Sequence, residues 1–127
     1  MQHWYVYHST EAMGRDYASS GESAVYSAKG RPKLCFGDMI WVIEGSTGMC
    51  KDFKLVDRFV NEQQDHGSFV KNGRPFKLKI SGKSLLPAPI RLNGTNNAAF
   101  DDIYKNMITK QKFFNLIPEA QALALLT

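Results

Sequence analysis

The stretch from Pro32 to Val60 limits the possible folds more than any other part of the chain. A Gly37-Asp38 turn leads into an apolar run, Met39 to Ile43, with no polar residue on either side of a strand. A strand apolar on both faces is a central one, covered above and below. A glycine-bracketed loop, Gly45 to Lys51, separates it from a second long strand, Asp52 to Asn61. Alternation in that strand places Phe53, Leu55 and Phe59 on one face and Val56 and Val60 on the other. Asp57 and Arg58 fall in its middle, where apolar residues are expected. That break in the pattern points to a small barrel closing around something polar or aromatic.

The flanking segments extend this reading. His3 to His8 forms an aromatic strand, with His3, Tyr5 and Tyr7 on one face and Trp4, Val6 and His8 on the other. Ser9 to Tyr17 is expected to start a short helix, and Ser23 to Ala28 forms a second strand. Asn72-Gly73 is a tight-turn signal. Beyond it Phe76, Leu78 and Ile80 alternate with Lys77 and Lys79, a strand with one buried and one basic face. Lysines on an outer face also keep sheet edges from pairing. Pro87, Pro89 and Gly94 make 81–97 an irregular connection. Asn97 is placed to cap a helix over 98–112, with Asp101 and Asp102 in its first turn. Pro118 and Glu119 open a short helix through Leu126. The expected fold is α+β: a single domain, 1–127, forming a small mixed β-barrel of five to six strands decorated by two to three helices.

A chain of 127 residues is long enough to bury one core. No apolar run approaches the roughly 20 residues that cross a bilayer, so no membrane partner is expected. The opening MQHWYVYHS lacks the layout of a secretory signal. Two cysteines, Cys35 and Cys50, are too few for a disulfide framework or a metal knuckle, and a reduced, cytoplasmic setting is expected. The net charge of +4 is concentrated in two clusters: Lys29, Arg31 and Lys33, then Lys71, Arg74, Lys77, Lys79 and Lys83. Clustered cations are the footprint of a polyanionic partner.

Catalytic patterns are missing. His3 and His8 are five apart on a strand, face opposite sides and cannot share a metal. His66 is expected in a polar loop beside Asp65, without metal-ligand spacing. Cys35, between Leu34 and Phe36, is expected to be a small buried hydrophobe, and Cys50 next to Lys51 has no histidine base in sequence. No cofactor, metal or enzymatic activity is expected. Aromatics are better represented: Trp4, Tyr5, Tyr7, Tyr17, Tyr26 and Trp41 lie among cations and hydroxyls. Aromatics that stack on bases beside a cationic groove hold single-stranded or extruded nucleotides.

Three segments carry a resemblance: HWYVYHST, AVYSAKGRPKLCFGDMIWVIEG and DFKLVDRFV. Together, over roughly residues 3 to 60, they resemble the PUA-like superfamily, and within it the EVE and YTH domains. His8-Ser9 and Tyr26-Ser27-Ala28 stand at the YTH positions for a first-strand Lys-Ser and a cage Trp-x-Ser. The resemblance implies a reader of modified nucleobases, flipped out of DNA or presented in RNA, working beside an effector domain or protein partner. Extruding a base costs a few kcal/mol, recovered by stacking and edge hydrogen bonds. On this reading Tyr26 stacks on the base, with Trp4 or Trp41 as the second wall. Ser9, Ser27 and Ser46 meet the base edge, and Glu44 or Asp57 accepts from an exocyclic amine. Lys29, Arg31, Lys33 and Arg58 hold phosphates. Two alternatives stand beside it. Residues 37 to 42, GDMIWV, are also similar to a motif of small-barrel toxin ribonucleases of the MazF type. A protein-interaction adaptor without nucleic acid is the third reading.

Overall fold

The computed structural model describes residues 1–9, 17–28, 34–46, 52–92, 100, 103, 105 and 114–126. Eight strands lie among them: β1 (His3–Ser9), β2 (Ala24–Ser27), β3 (Met39–Ser46), β4 (Asp52–Val60), β5 (Gln63–Lys71), β6 (Arg74–Ser81), β7 (Ile90–Arg91) and β8 (Asn115–Ile117). One short helix, α1 (Glu119–Ala124), and a 3-10 turn, Ala18–Ser20, complete the described elements. The strands form two sheets, one ordered β7-β4-β3-β1-β8 and one ordered β2-β6-β5.

The expected barrel is not formed. Both sheets are open, and β2 pairs with β6 in the second sheet instead of closing the first. The physical reason lies in β1 and β3, which run parallel in register from His3 opposite Met39 to Ser9 opposite Gly45. Parallel neighbours need a long crossover. Here the crossover carries β2 onto one face of the first sheet. That face, with Trp4, Val6, Ile40, Val42 and Phe59, packs against Val25, Leu78 and Ile80 of the second sheet. The opposite face, with Tyr5, Trp41, Ile43, Phe53 and Leu55, is covered by Leu92, Phe100, Ile103, Ala122 and Leu125. A sheet covered on both sides is a middle layer, not a barrel wall.

The expected two to three helices are also corrected: α1 is the one continuous α-helix among the described residues. The helices expected over 9–17 and 98–112 fall mostly outside those residues. Two further expectations change. A β-bulge makes Val42 face Asp57 while Ile43 faces Leu55, so Val56 is the extra residue. The bulge reverses the alternation, sending Phe53 and Leu55 to one layer and Phe59 to the other. His66, expected in a loop, lies in strand β5, which shows no apolar alternation because both of its faces are largely exposed.

The Gly37-Asp38 turn ties the centre together. Gly37 has φ +90°, a conformation that side chains disfavour. Asp38 then accepts from the backbone N–H of Gln2 (3.0 Å), the indole N–H of Trp4 (3.0 Å) and the backbone N–H of Cys35 (2.9 Å). Burial alone would raise the Asp38 carboxyl, but the donors from Cys35, Gln2 and Trp4 outweigh it and hold it below the usual range. Asn61 donates its backbone N–H to Asp38 O and its side-chain N–H to Cys35 O, bringing the end of β4 to the same point. Cys35 is exposed, correcting the expectation of a buried thiol: its backbone serves the turn while Leu34 enters the core.

Asp38→Ala is expected to cost about 2–4 kcal/mol, read as a lower urea midpoint with an unchanged slope. The depressed folded value makes this contribution present above about pH 4 and lost as pH falls through it. Acid unfolding of D38A should therefore show a flatter pH dependence than that of the natural chain.

Candidate functional site

The structure distributes the sequence-predicted site residues over three separate places. Trp41 lies in the layer under α1, fully buried, donating its indole N–H to His3 Nδ1 at 3.0 Å. Trp4 lies in the layer between the sheets, with its indole on Asp38. Tyr26 belongs to neither core cluster: its neighbour Val25 points inward, and Tyr26 sits opposite Lys79 on the alternate face. The three rings therefore share no common slot, and stacking a base on either tryptophan would require opening the core. Arg58 reaches into the layer under α1, its guanidinium 5.2 Å from the Trp41 ring centroid. Ser27 is buried. The side chains of Ser9 and Ser46, and all of Lys29, Arg31 and Lys33, lie outside the described residues.

Asp57 and Glu44 anchor a polar network at the edge of the inter-sheet layer. The bulge turns Asp57 toward Tyr17, whose hydroxyl donates to Asp57 Oδ2 at 2.6 Å and accepts from the Ala24 N–H at 3.1 Å. Ser84 donates to Asp57 Oδ1 at 2.7 Å, and the Arg58 N–H donates to the same oxygen. Glu44 accepts from the Tyr17 backbone N–H at 2.6 Å and lies 3.8 Å from His8 Nε2. With three donors on Asp57, the carboxylate acts as a strut between β4, β2 and the 3-10 turn. Burial, then the Asp57 carboxylate, pushes the Tyr17 phenol far above its ordinary value.

A different group of residues meets at the surface. Phe69 of β5 and Phe76 of β6 sit opposite each other across the hairpin. Tyr26 packs edge-on to Phe69 (centroids 5.5 Å apart) and tilted to Phe76 (6.0 Å). All three rings are half-buried, so part of each faces water. Lys71 Nζ lies 4.7 Å from the Tyr26 ring centroid, a cation–π contact worth about 0.5–1 kcal/mol at an exposed site. The hairpin turns at Asn72 (φ 50°) and Gly73 (φ 74°), the type I′ conformation expected of Asn-Gly. This places Lys71 directly opposite Arg74. Like charges facing each other across strands repel, and this pair concentrates positive charge at the tip. Arg74 and Lys77 are exposed and pair with no carboxylate among the described residues.

Half of this site was legible in the sequence. In a two-residue hairpin, positions three before and three after the turn are opposite, so Asn72-Gly73 by itself pairs Phe69 with Phe76. The approach of Tyr26 depends on β2 pairing with β6 some fifty residues away in the chain, for which no local signal exists. Among the described residues no three His, Cys, Asp or Glu side chains could hold a metal ion, and no helix is long and apolar enough to cross a membrane.

No protein-family model matches this chain, and no curated protein matches it either.

Tyr17→Phe is expected to lose about 2–3 kcal/mol of stability, because Asp57 and the Ala24 N–H both lose a buried partner. The raised phenol makes this contribution complete below about pH 10 and lost as pH rises beyond it. Burial also raises the Tyr5 phenol, so absorbance titration should show a phenolate step that accompanies unfolding, and the amplitude of that step should fall by one tyrosine in Y17F.

Proposed function

We propose that this chain binds single-stranded nucleic acid along the aromatic and cationic face built by Tyr26 and the β5–β6 hairpin. The carrying observation is the Tyr26–Phe69–Phe76 ring cluster, partly exposed, with Lys71 over Tyr26, Arg74 opposite Lys71, and the exposed Lys77 next along β6 after Phe76. Exposed rings accept bases of any sequence, each stacked base contributing about 1–3 kcal/mol, while cations track the phosphates. Unpaired bases suit the site because the rings lie on a sheet face, where a base must be splayed out to reach them. Between Glu62 and Lys83 five cations stand against two carboxylates, Glu62 and Asp65. The segment thus keeps a positive field even after its one ion pair among the described residues, Lys79 with Glu22, is formed. A preference for a modified base is part of this proposal, with Tyr26 as the stacking ring in place of a tryptophan-walled slot.

The test is fluorescence anisotropy with a labelled single-stranded oligonucleotide at about 50 and about 200 mM salt. The natural chain should bind more weakly at the higher salt. Replacing Lys71, Arg74 and Lys77 together by Gln should flatten the logarithmic salt slope by about 2, at roughly 0.7 per phosphate contact. Phe69→Ala should weaken binding by about 1–3 kcal/mol with the slope unchanged. Binding that is insensitive to salt, or unaltered in the triple variant, would overturn the assignment.

A further inference from the structure

Glu22 sits inside the proposed binding face with a set of partners that is unusual for a surface carboxylate. Its Oε1 accepts from the Tyr26 hydroxyl at 2.7 Å and its Oε2 from Lys79 Nζ at 2.7 Å. Lys71, the cation over the Tyr26 ring, adds a second positive charge close enough to favour the ionised form. Burial opposes ionisation, but Lys79, Tyr26 and Lys71 together hold the Glu22 carboxyl below the usual carboxylate range. One anion therefore draws on a phenol and two ammonium groups at once. A carboxylate and a phosphate both present adjacent oxygens to such donors, and lysine is a common phosphate partner.

We propose that Tyr26, Lys79 and Lys71 form a phosphate subsite whose resting occupant is the Glu22 carboxylate. The inference rests on the nucleic-acid reading of this face. A phosphate of the bound strand displaces Glu22 and takes its place on Lys79 and the Tyr26 hydroxyl, beside the rings that hold the base. The donors stay in place during the exchange, because Tyr26 and Lys79 are opposite residues of a paired ladder. Glu22, by contrast, precedes β2 in a turn that follows Gly21 (φ 69°), so its side chain leaves without disturbing a strand. The pair is also weak enough to exchange. The Glu22 and Lys79 side chains are 35% and 24% exposed, and an ion pair so close to water changes an equilibrium by no more than about fivefold.

A purely architectural role for Glu22 predicts the opposite result, which makes the experiment decisive. The oligonucleotide titration is repeated with Glu22→Gln, which keeps the side chain's size and removes its charge. Affinity is expected to rise about three- to fivefold at low salt, with a salt slope steeper by about 0.7. Glu62→Gln removes an exposed carboxylate just before β5 of the same sheet and should change affinity by less than about twofold. Adding Lys79→Gln to E22Q should cancel the gain. Equal or weaker binding by E22Q, or an equal gain in E62Q, would overturn the subsite while leaving the binding face intact. If neither the natural chain nor E22Q binds the oligonucleotide, the reading of the face falls and the subsite falls with it.

Discussion

The parallel pairing of β1 with β3 is the constraint from which the rest of the architecture follows. Two parallel strands cannot be joined by a tight turn, so the chain between them must travel across one face of the sheet. That journey deposits β2 on the second sheet, whose inward side chains Val25, Leu78 and Ile80 then close the layer above Trp4, Val6, Ile40 and Val42. The opposite face needs its own cover and receives Leu92, Phe100, Ile103 and α1. Asp38 sits at the start of β3 and holds both the entry of β1 and the Trp4 indole, so one carboxylate sets the register of the central pair.

Burial on both faces also decides the fate of the polar residues in the central strands. A buried carboxylate needs donors. Asp57 finds them in Tyr17, Ser84 and the Arg58 amide, and the Trp41 indole finds His3. Once these groups satisfy one another they are unavailable to a ligand. Chemistry directed outward is left to the β5–β6 hairpin, which contributes Leu78 and Ile80 to the core and otherwise faces water. A face freed from packing is where aromatic rings and unpaired cations can stand side by side.

Several elements were legible from local pattern alone. The alternation in β1 placed His3, Tyr5 and Tyr7 opposite Trp4, Val6 and His8, and the two core clusters divide Tyr5 from Trp4 and Val6 in the same way. The doubly apolar run at Met39 lies at the centre of the larger sheet, and Asn72-Gly73 turns a hairpin. Strand β5 was not legible, because a strand exposed on both faces has no hydrophobic period to detect. Nor was the bulge at Val56: one inserted residue reverses every facing beyond it, and only the partner strand reveals it. The polarity of Asp57 that suggested a barrel is met by donors at the inter-sheet layer, while Arg58 lies against Trp41 in the other layer, so neither lines a lumen.

Residue order by itself determined which segments are strands of a buried layer and where a turn must fall, because both depend on side-chain period and backbone freedom within a few residues. It also determined that positive charge gathers between Lys71 and Lys83. Only the tertiary structure decided that two tryptophans are core, that Tyr26 joins Phe69 and Phe76, and that Glu22 meets Lys79. Those outcomes rest on pairing between strands distant in the chain, β1 with β3 and β2 with β6. Such pairing is selected by how all the apolar faces can be covered at once, a condition that no single segment carries.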